Sequence, residues 1–117
     1  SGKGRNVTDR LHMTGSKIGQ WVVIGEGARR KVLSDAPDLM IVEFAFDKGA
    51  VGAMHNHPHI QGTYVASGRF AFTMDDETFE IGPGDSMVIP TMVMHGCTAL
   101  ESGSLIDSFT PRRDDFL

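Results

Sequence analysis

Gly49-Ala-Val-Gly-Ala-Met-His55-Asn-His57-Pro-His59-Ile-Gln61 holds three of the chain's five histidines, and its spacing constrains the fold more than any other segment. His55 and His57 are two positions apart, so on an extended backbone both imidazoles leave from one face. Neutral imidazole is a good ligand for divalent first-row ions. The amide oxygen of Gln61 can join the group as the chain turns into the next strand. A further ligand must come from elsewhere. His95 follows Gly84-Asp-Ser-Met-Val-Ile-Pro90 and opens a later run, so a rolled sheet would set it opposite the first pair. A His-rich surface loop alone would bind metal only adventitiously. The pair, Gln61 and His95 together point to a built metal site.

Outward from this segment, β-branched and aromatic runs recur roughly every eight to twelve residues, separated by turn residues, the mark of an all-β sandwich or barrel. Strands are predicted over 21–24, 29–33, 39–46, 62–66, 69–74, 78–81, 86–89, 95–100 and 104–110. The breaks are Asp35-Ala-Pro37-Asp38, Asp47-Lys-Gly49, Ser67-Gly68, Asp75-Asp76, Gly82-Pro83-Gly84-Asp85 and Glu101-Ser-Gly103, all rich in turn formers. No amphipathic stretch is long enough for a substantial helix. A strand-rich chain must hide its edges, and rolling the sheet does so, which favours a jelly-roll barrel over an open sheet. Residues 1–19 are polar and aperiodic and read as a flexible arm or tag remnant. Residues 20–117 read as one domain.

Bulk properties narrow the function. A chain of 117 residues can bury one core, and 40% apolar with 22% charged residues is globular composition. A net charge of −4 with scattered Lys and Arg offers no field for phosphate backbones, so no nucleic-acid partner is expected. The apolar runs are too short to span a bilayer and no secretory leader is evident, so no membrane partner and a cytoplasmic location are expected. Cys97 stands alone, which excludes an internal disulfide.

In the run Ser104-Leu-Ile-Asp107-Ser-Phe109-Thr110, Asp107 shares a face with Leu105 and Phe109. Either the strand is an edge and Asp107 meets water, or the carboxylate faces the interior, placed to move protons on a ligand. Arg112 and Arg113 are either a solvated charge pair or a fork for a carboxylate. His59 falls behind the ligand pair or in the pocket. Cys97 is a buried inert thiol or a cavity residue, His12 belongs to the arm, and Met54, Met92 and Met94 fill gaps.

The two segments Gly49-x5-His55-x-His57-x3-Gln61-x6-Gly68 and Gly84-x5-Pro90-x-Met92-x2-His95 resemble the paired motifs of the cupins. From Gln20 to Leu117 the chain resembles the small cupins of pectin and alginate breakdown, the KdgF type. The likeness is carried by Gly27-Ala-Arg29-Arg30-Lys31-Val32-Leu33, Lys48-Gly-Ala-Val-Gly52, Tyr64-Val-x-Ser67-Gly68-Arg69-Phe70, Gly82-Pro-Gly-Asp85-Ser86 and Asp107-x-Phe109-Thr-Pro111-x-Arg113-x-Asp115-Phe116-Leu117. The resemblance implies a single-domain cupin jelly-roll barrel in which His55, His57, Gln61 and His95 hold one divalent ion, among Ni, Zn, Fe and Mn. It implies that Asp107 is the catalytic acid and base and that Arg113 assists at the substrate. The implied reaction is a non-redox ring opening of 4,5-unsaturated uronate monosaccharides to linear keto-uronates. The implied partners are a small-molecule sugar acid and a second copy of the chain in a homodimer. The chain departs from the pattern at Gln61, where Glu is usual, and at Met92 and Ala99, where Gly and Asn are usual. Arg112 replaces a common second Pro, from which a looser tail is expected. Two other readings fit a metal-binding cupin: a metal-dependent dioxygenase, and a non-catalytic sugar-acid or metal-binding module.

Overall fold

A computed structural model describes residues 18–117. The arm expected over 1–19 lies outside the described residues except for its last two positions. Ile18 forms a parallel bridge to Val32 and is buried beside Met40, Val42, Phe109 and Phe116, and the Gly19 N–H donates to the Val32 carbonyl at 2.8 Å.

The strands are β1 (Trp21–Gly25), β2 (Ala28–Ala36), β3 (Leu39–Phe46), β4 (Val51–His55), β5 (Ile60–Met74), β6 (Glu77–Ile81), β7 (Ser86–Ile89) and β8 (His95–Thr110), followed by a short 3-10 turn, Asp114–Phe116. They form one eight-stranded sheet in the order β1-β2-β3-β8-β5-β6, with β4 added to β8 and β7 added to β5. Among the described residues no helix is long and apolar enough to cross a membrane.

Two long strands organise the molecule. The first part of β5, Gln61 to Tyr64, lies between β7 and the end of β8, and its last part, Phe70 to Met74, lies between β6 and the start of β8. The start of β8 carries β4, while its end carries β3. Two half-sheets thus share β5 and β8, and their inner faces pack together in an all-β jelly roll. Phe46 of β3 meets Phe70 of β5 with ring centroids 5.6 Å apart, inside a cluster that includes Val65, Phe72, Ile81, Ile89 and Leu105.

Ser67-Gly68 and Glu101-Ser-Gly103, expected to be turns, instead face each other across β5 and β8 as irregularities in continuous strands. In β5 the buried positions are Gln61, Thr63 and Val65 before the break but Phe70 and Phe72 after it. The extra residue of a bulge flips the alternation from odd to even, a break that a local pattern reads as a turn. Gly68 has φ +79°, and a Cβ there would stand 2.6 Å from the Ser102 carbonyl oxygen; a Cβ on Gly103 would collide with that of Ser67. Both the left-handed backbone and the close approach require glycine. Gly68→Ala is therefore expected to destabilise the fold by about 3 kcal/mol, which urea unfolding followed by far-UV circular dichroism would measure.

β4 was not anticipated as a strand. Its burial pattern is almost entirely exposed, so it lacks the alternation that marks strands in sequence. Only its pairing with β8 makes it one.

Candidate metal centre and acid–base cavity

β4 ends at His55 and β8 begins at His95, and these two residues are directly opposed in the ladder. His57 sits in the connection to β5, whose second residue is Gln61. Pairing of β4 with β8, and of β8 with β5, thus collects three separated stretches at one end of the jelly roll. The ring centroids of His55 and His95 are 4.4 Å apart and those of His57 and His95 are 5.0 Å apart. The candidate ligand atoms of His55, His57 and His95 all lie within 4.8 Å of one another, so the three could hold a metal ion.

The imidazoles are oriented alike. The Nδ1–H of His55 donates to the Ala53 carbonyl at 2.8 Å, that of His57 to the His59 carbonyl at 3.1 Å, and that of His95 to the Val93 carbonyl at 2.8 Å. Each bond sets the Nδ1–H tautomer and leaves the Nε2 lone pair free, the usual preparation of a metal-ligating histidine. Burial lowers the proton affinity of His57 and takes His95 down to about 4, so both rings are neutral near pH 7. His95 Nε2 is buried and has no hydrogen-bond partner among the described residues.

Gln61 supplies a sharper test. Its amide NH2 donates to Thr63 Oγ1 at 3.0 Å and to Asp107 Oδ2 at 3.1 Å, which directs Oε1 to within 2.9 Å of His57 Nε2. With Nδ1 carrying the proton of His57, two lone pairs converge. A cation between them resolves the conflict, and neighbouring ligands of one ion stand about 3 Å apart. The donor set, three neutral imidazoles and a neutral amide, fits a divalent ion and would leave its double charge unneutralised.

Asp107 lies one layer further in. Its Cα partners are Val42 on β3 and Thr63 on β5, so β8 is interior here and the edge-strand alternative does not hold. The residue is 5% exposed. Burial pushes its carboxyl up to about 7 against the opposing pull of Thr63, Gln61 and the Arg113 charge. Oδ1 has no hydrogen-bond partner among the described residues. His55, Gln61, His95 and Asp107 all line one cavity of about 290 Å3, large enough for a monosaccharide-sized ligand.

The tail is tied down, contrary to the looseness expected from Arg112. Its Nε and Nη2 donate to both oxygens of Asp35, at 3.0 and 2.7 Å, and its N–H reaches the Pro37 carbonyl. His59 adds a tie, its Nε2–H donating to the Arg112 carbonyl at 3.1 Å while its ring packs edge-on against His57. A proline at 112 would stiffen the chain; a half-buried fork does the same work by cross-linking it to β2. Arg113 reaches the cavity wall, but its Nε and Nη2 are engaged by Asp115 at 3.1 and 2.9 Å. Cys97 also lines the cavity, and burial pushes its thiol up to about 11, which keeps it protonated and unreactive.

Met92 stands where glycine is usual, and its φ of +66° is the physical reason for that usage. Its N–H holds the His57 carbonyl at 2.8 Å, so the residue shapes the ligand loop from a strained conformation. Met92→Gly is expected to stabilise the protein by about 0.5–1 kcal/mol, the relief of left-handed strain less the added freedom of the unfolded chain, readable as a shift of the urea midpoint.

Sequence reasoning missed Arg30 and Phe116, which line the same cavity. The signal for Arg30 was present: Ala28 and Val32, two positions either side, are buried, so Arg30 projects from the inward face of β2. Asp107 stands in the same way between buried Leu105 and Phe109 on β8.

A family model described as a cupin domain matches residues 42–106. The pectin degradation protein KdgF of Dickeya dadantii (strain 3937) is 42% identical over 99 residues, covering 83% of this chain and 90% of that protein. Among solved structures, KdgF from Halomonas sp. shares 46% identity at a TM-score of 0.79, over 84% of this chain and 93% of that one. An RmlC-like cupin from Shewanella frigidimarina NCIMB 400 shares 38% identity at a TM-score of 0.82, over 91% and 96%. Paired motifs, rolled sheet and near full-length similarity agree: the chain belongs to the cupin superfamily, among its small single-domain members of the KdgF type.

Proposed function

We propose that this protein is a metal-dependent enzyme of pectin breakdown that opens the ring of 4,5-unsaturated uronate monosaccharides. The observation that carries the reading is Asp107, a buried carboxyl whose Oδ1 has no partner among the described residues and whose proton affinity is raised to near neutrality, in one cavity with Gln61 and two members of the imidazole cluster, His55 and His95. The name of the relative from Dickeya dadantii, a pectin degradation protein, supports a role in pectin breakdown.

An unsaturated monouronate is a cyclic hemiacetal whose ring oxygen sits on an alkene carbon that also bears the carboxylate. Asp107 takes the proton of the anomeric hydroxyl through Oδ1. The C1–O5 bond then breaks, its electron pair leaving on the former ring oxygen as an enolate. Protonated Asp107 returns the proton to C4, which yields a linear keto acid and restores the enzyme. A carboxyl poised near pH 7 can accept and return a proton at low cost. Gln61 donates to the second oxygen, Oδ2, so that Oδ1 is the one presented. A divalent ion held by His55, His57, Gln61 and His95 would supply Lewis-acid stabilisation of the oxygen charge. Arg113 adds a fixed positive charge on the same wall, and Phe109 and Phe116 beneath it exclude water.

The test is direct. Wild-type protein mixed with a lyase-generated unsaturated monouronate should remove the alkene ultraviolet absorbance, with no oxygen consumed. Persistence of that absorbance, or stoichiometric oxygen uptake, sinks the assignment.

A further inference from the structure

The cavity wall carries two arginines, and they are not equivalent. Arg113 is held by Asp115 through Nε and Nη2, the edge that a carboxylate would grip. Arg30 forms no side-chain hydrogen bond to any described residue, although its guanidinium is stacked on Phe116 with Cζ 4.1 Å from the ring centroid. Its Nε is buried and has no hydrogen-bond partner among the described residues. Phe116 is itself buried, and Arg113 Cζ lies 4.3 Å from the same ring centroid, so one ring supports both guanidinium groups. Burial is the largest influence on Arg30 and disfavours its charge, with Asp115 opposing and Arg113 adding to the penalty.

A partly desolvated cation with an unused planar fork, in a cavity, is an unusual expense for a fold to carry. A planar anion on the ligand would settle it, because two parallel N–H donors match both oxygens of a carboxylate. From this geometry we infer that Arg30 is the residue that binds the sugar-acid carboxylate, Phe116 holding its fork in the bound orientation, while Arg113 contributes charge from behind its own ion pair with Asp115. The inference rests on the proposed function for the class of ligand, and it names the residue that distinguishes a uronate from a neutral sugar. Arg30 stands on β2, remote in sequence from the metal-ligand segments, and within the stretch Gly27-Ala-Arg29-Arg30-Lys31 it alone lines the cavity.

The probe is galacturonate, a saturated uronate that lacks the alkene and therefore cannot be converted to the keto acid. Calorimetric titration into zinc-loaded wild-type, Arg30→Gln, Arg30→Lys and Arg113→Gln proteins separates the possibilities, with galactose and inorganic phosphate as comparison ligands. The expected result is that Arg30→Gln weakens galacturonate binding by about ten- to a hundredfold with zinc stoichiometry and far-UV spectrum unchanged. Arg30→Lys, which keeps charge and stem but not the fork, should recover part of that loss, and Arg113→Gln should lose less than Arg30→Gln. Wild-type binding that is undetectable, or no tighter for galacturonate than for galactose or phosphate, overturns the inference. So does an Arg30→Gln affinity within about twofold of wild type, a difference too small for a charge-assisted contact. Turnover of unsaturated monouronate with an Arg30-independent affinity would leave the function standing and the inference lost. Arg30-dependent galacturonate binding without any turnover would do the reverse.

Discussion

Asp107→Asn should lower the rate of ring opening by about 10^2- to 10^4-fold, the contribution of a positioned acid–base group, while stoichiometric metal uptake is retained. The amide keeps the shape of the side chain, so Thr63, Gln61 and the sheet ladder around it need not move. A rate within about threefold of wild type, far below the share of a working acid–base group, would remove Asp107 from the mechanism. The same substitution should stabilise the metal-free protein at alkaline pH. The folded carboxyl titrates near 7 and the unfolded one near 3.8. Between those values the folded chain holds a proton that the unfolded chain has released, so stability falls as pH rises through the window and is lowest above pH 7. Asp107→Asn cannot ionise and should flatten that slope, gaining about 2–4 kcal/mol at pH 8. Urea unfolding of chelated protein at pH 4 and pH 8 would show it: equal slopes for both proteins would mean that the carboxyl is not held protonated. A residue that costs stability and supplies rate is the pattern expected of a working site.

Metal removal is the second large effect. Exhaustive chelation should reduce ring opening to background, and reloading with one equivalent of a divalent ion should restore it. Of the three candidate ligands, His55 is best suited to a substitution test, because it is exposed and its ring contributes little to the core. His55→Ala should keep the far-UV spectrum and the chelated-state stability of wild type yet fail to regain activity on reloading. An ion present at a thousand times its dissociation constant adds about 4 kcal/mol to the folded state, so wild type should show a metal-dependent rise in melting temperature that His55→Ala lacks. Burial keeps His57 and His95 neutral below the ordinary histidine range, so uptake should persist into mildly acidic buffer. Full activity of the chelated protein, verified metal-free, would contradict the reading.

Much of the centre was legible in the residues. Two imidazoles at spacing two, an amide after them and a third histidine behind Gly84 and Pro90 are short-range facts, and each finds its place because strand alternation is a property of the backbone alone. Asp107 was visible for the same reason. Arg30 obeys the same rule between Ala28 and Val32, but with Arg29 and Lys31 beside it no apolar-polar alternation sets it apart.

Other features have no local signature. Whether Ser67-Gly68 and Glu101-Ser-Gly103 end strands or merely kink them depends on each other, since the two glycines meet only when β5 and β8 lie side by side. β4 is a strand only because β8 offers it partners. The division of labour at the tail is likewise settled in three dimensions. Arg112 reaches back to Asp35, Arg113 is claimed by Asp115, and Arg30 is left with an aromatic ring and an empty fork. Periodicity says which way a side chain points. Which opposite charge it meets is a question of distance across the sheet, and only the closed fold answers it.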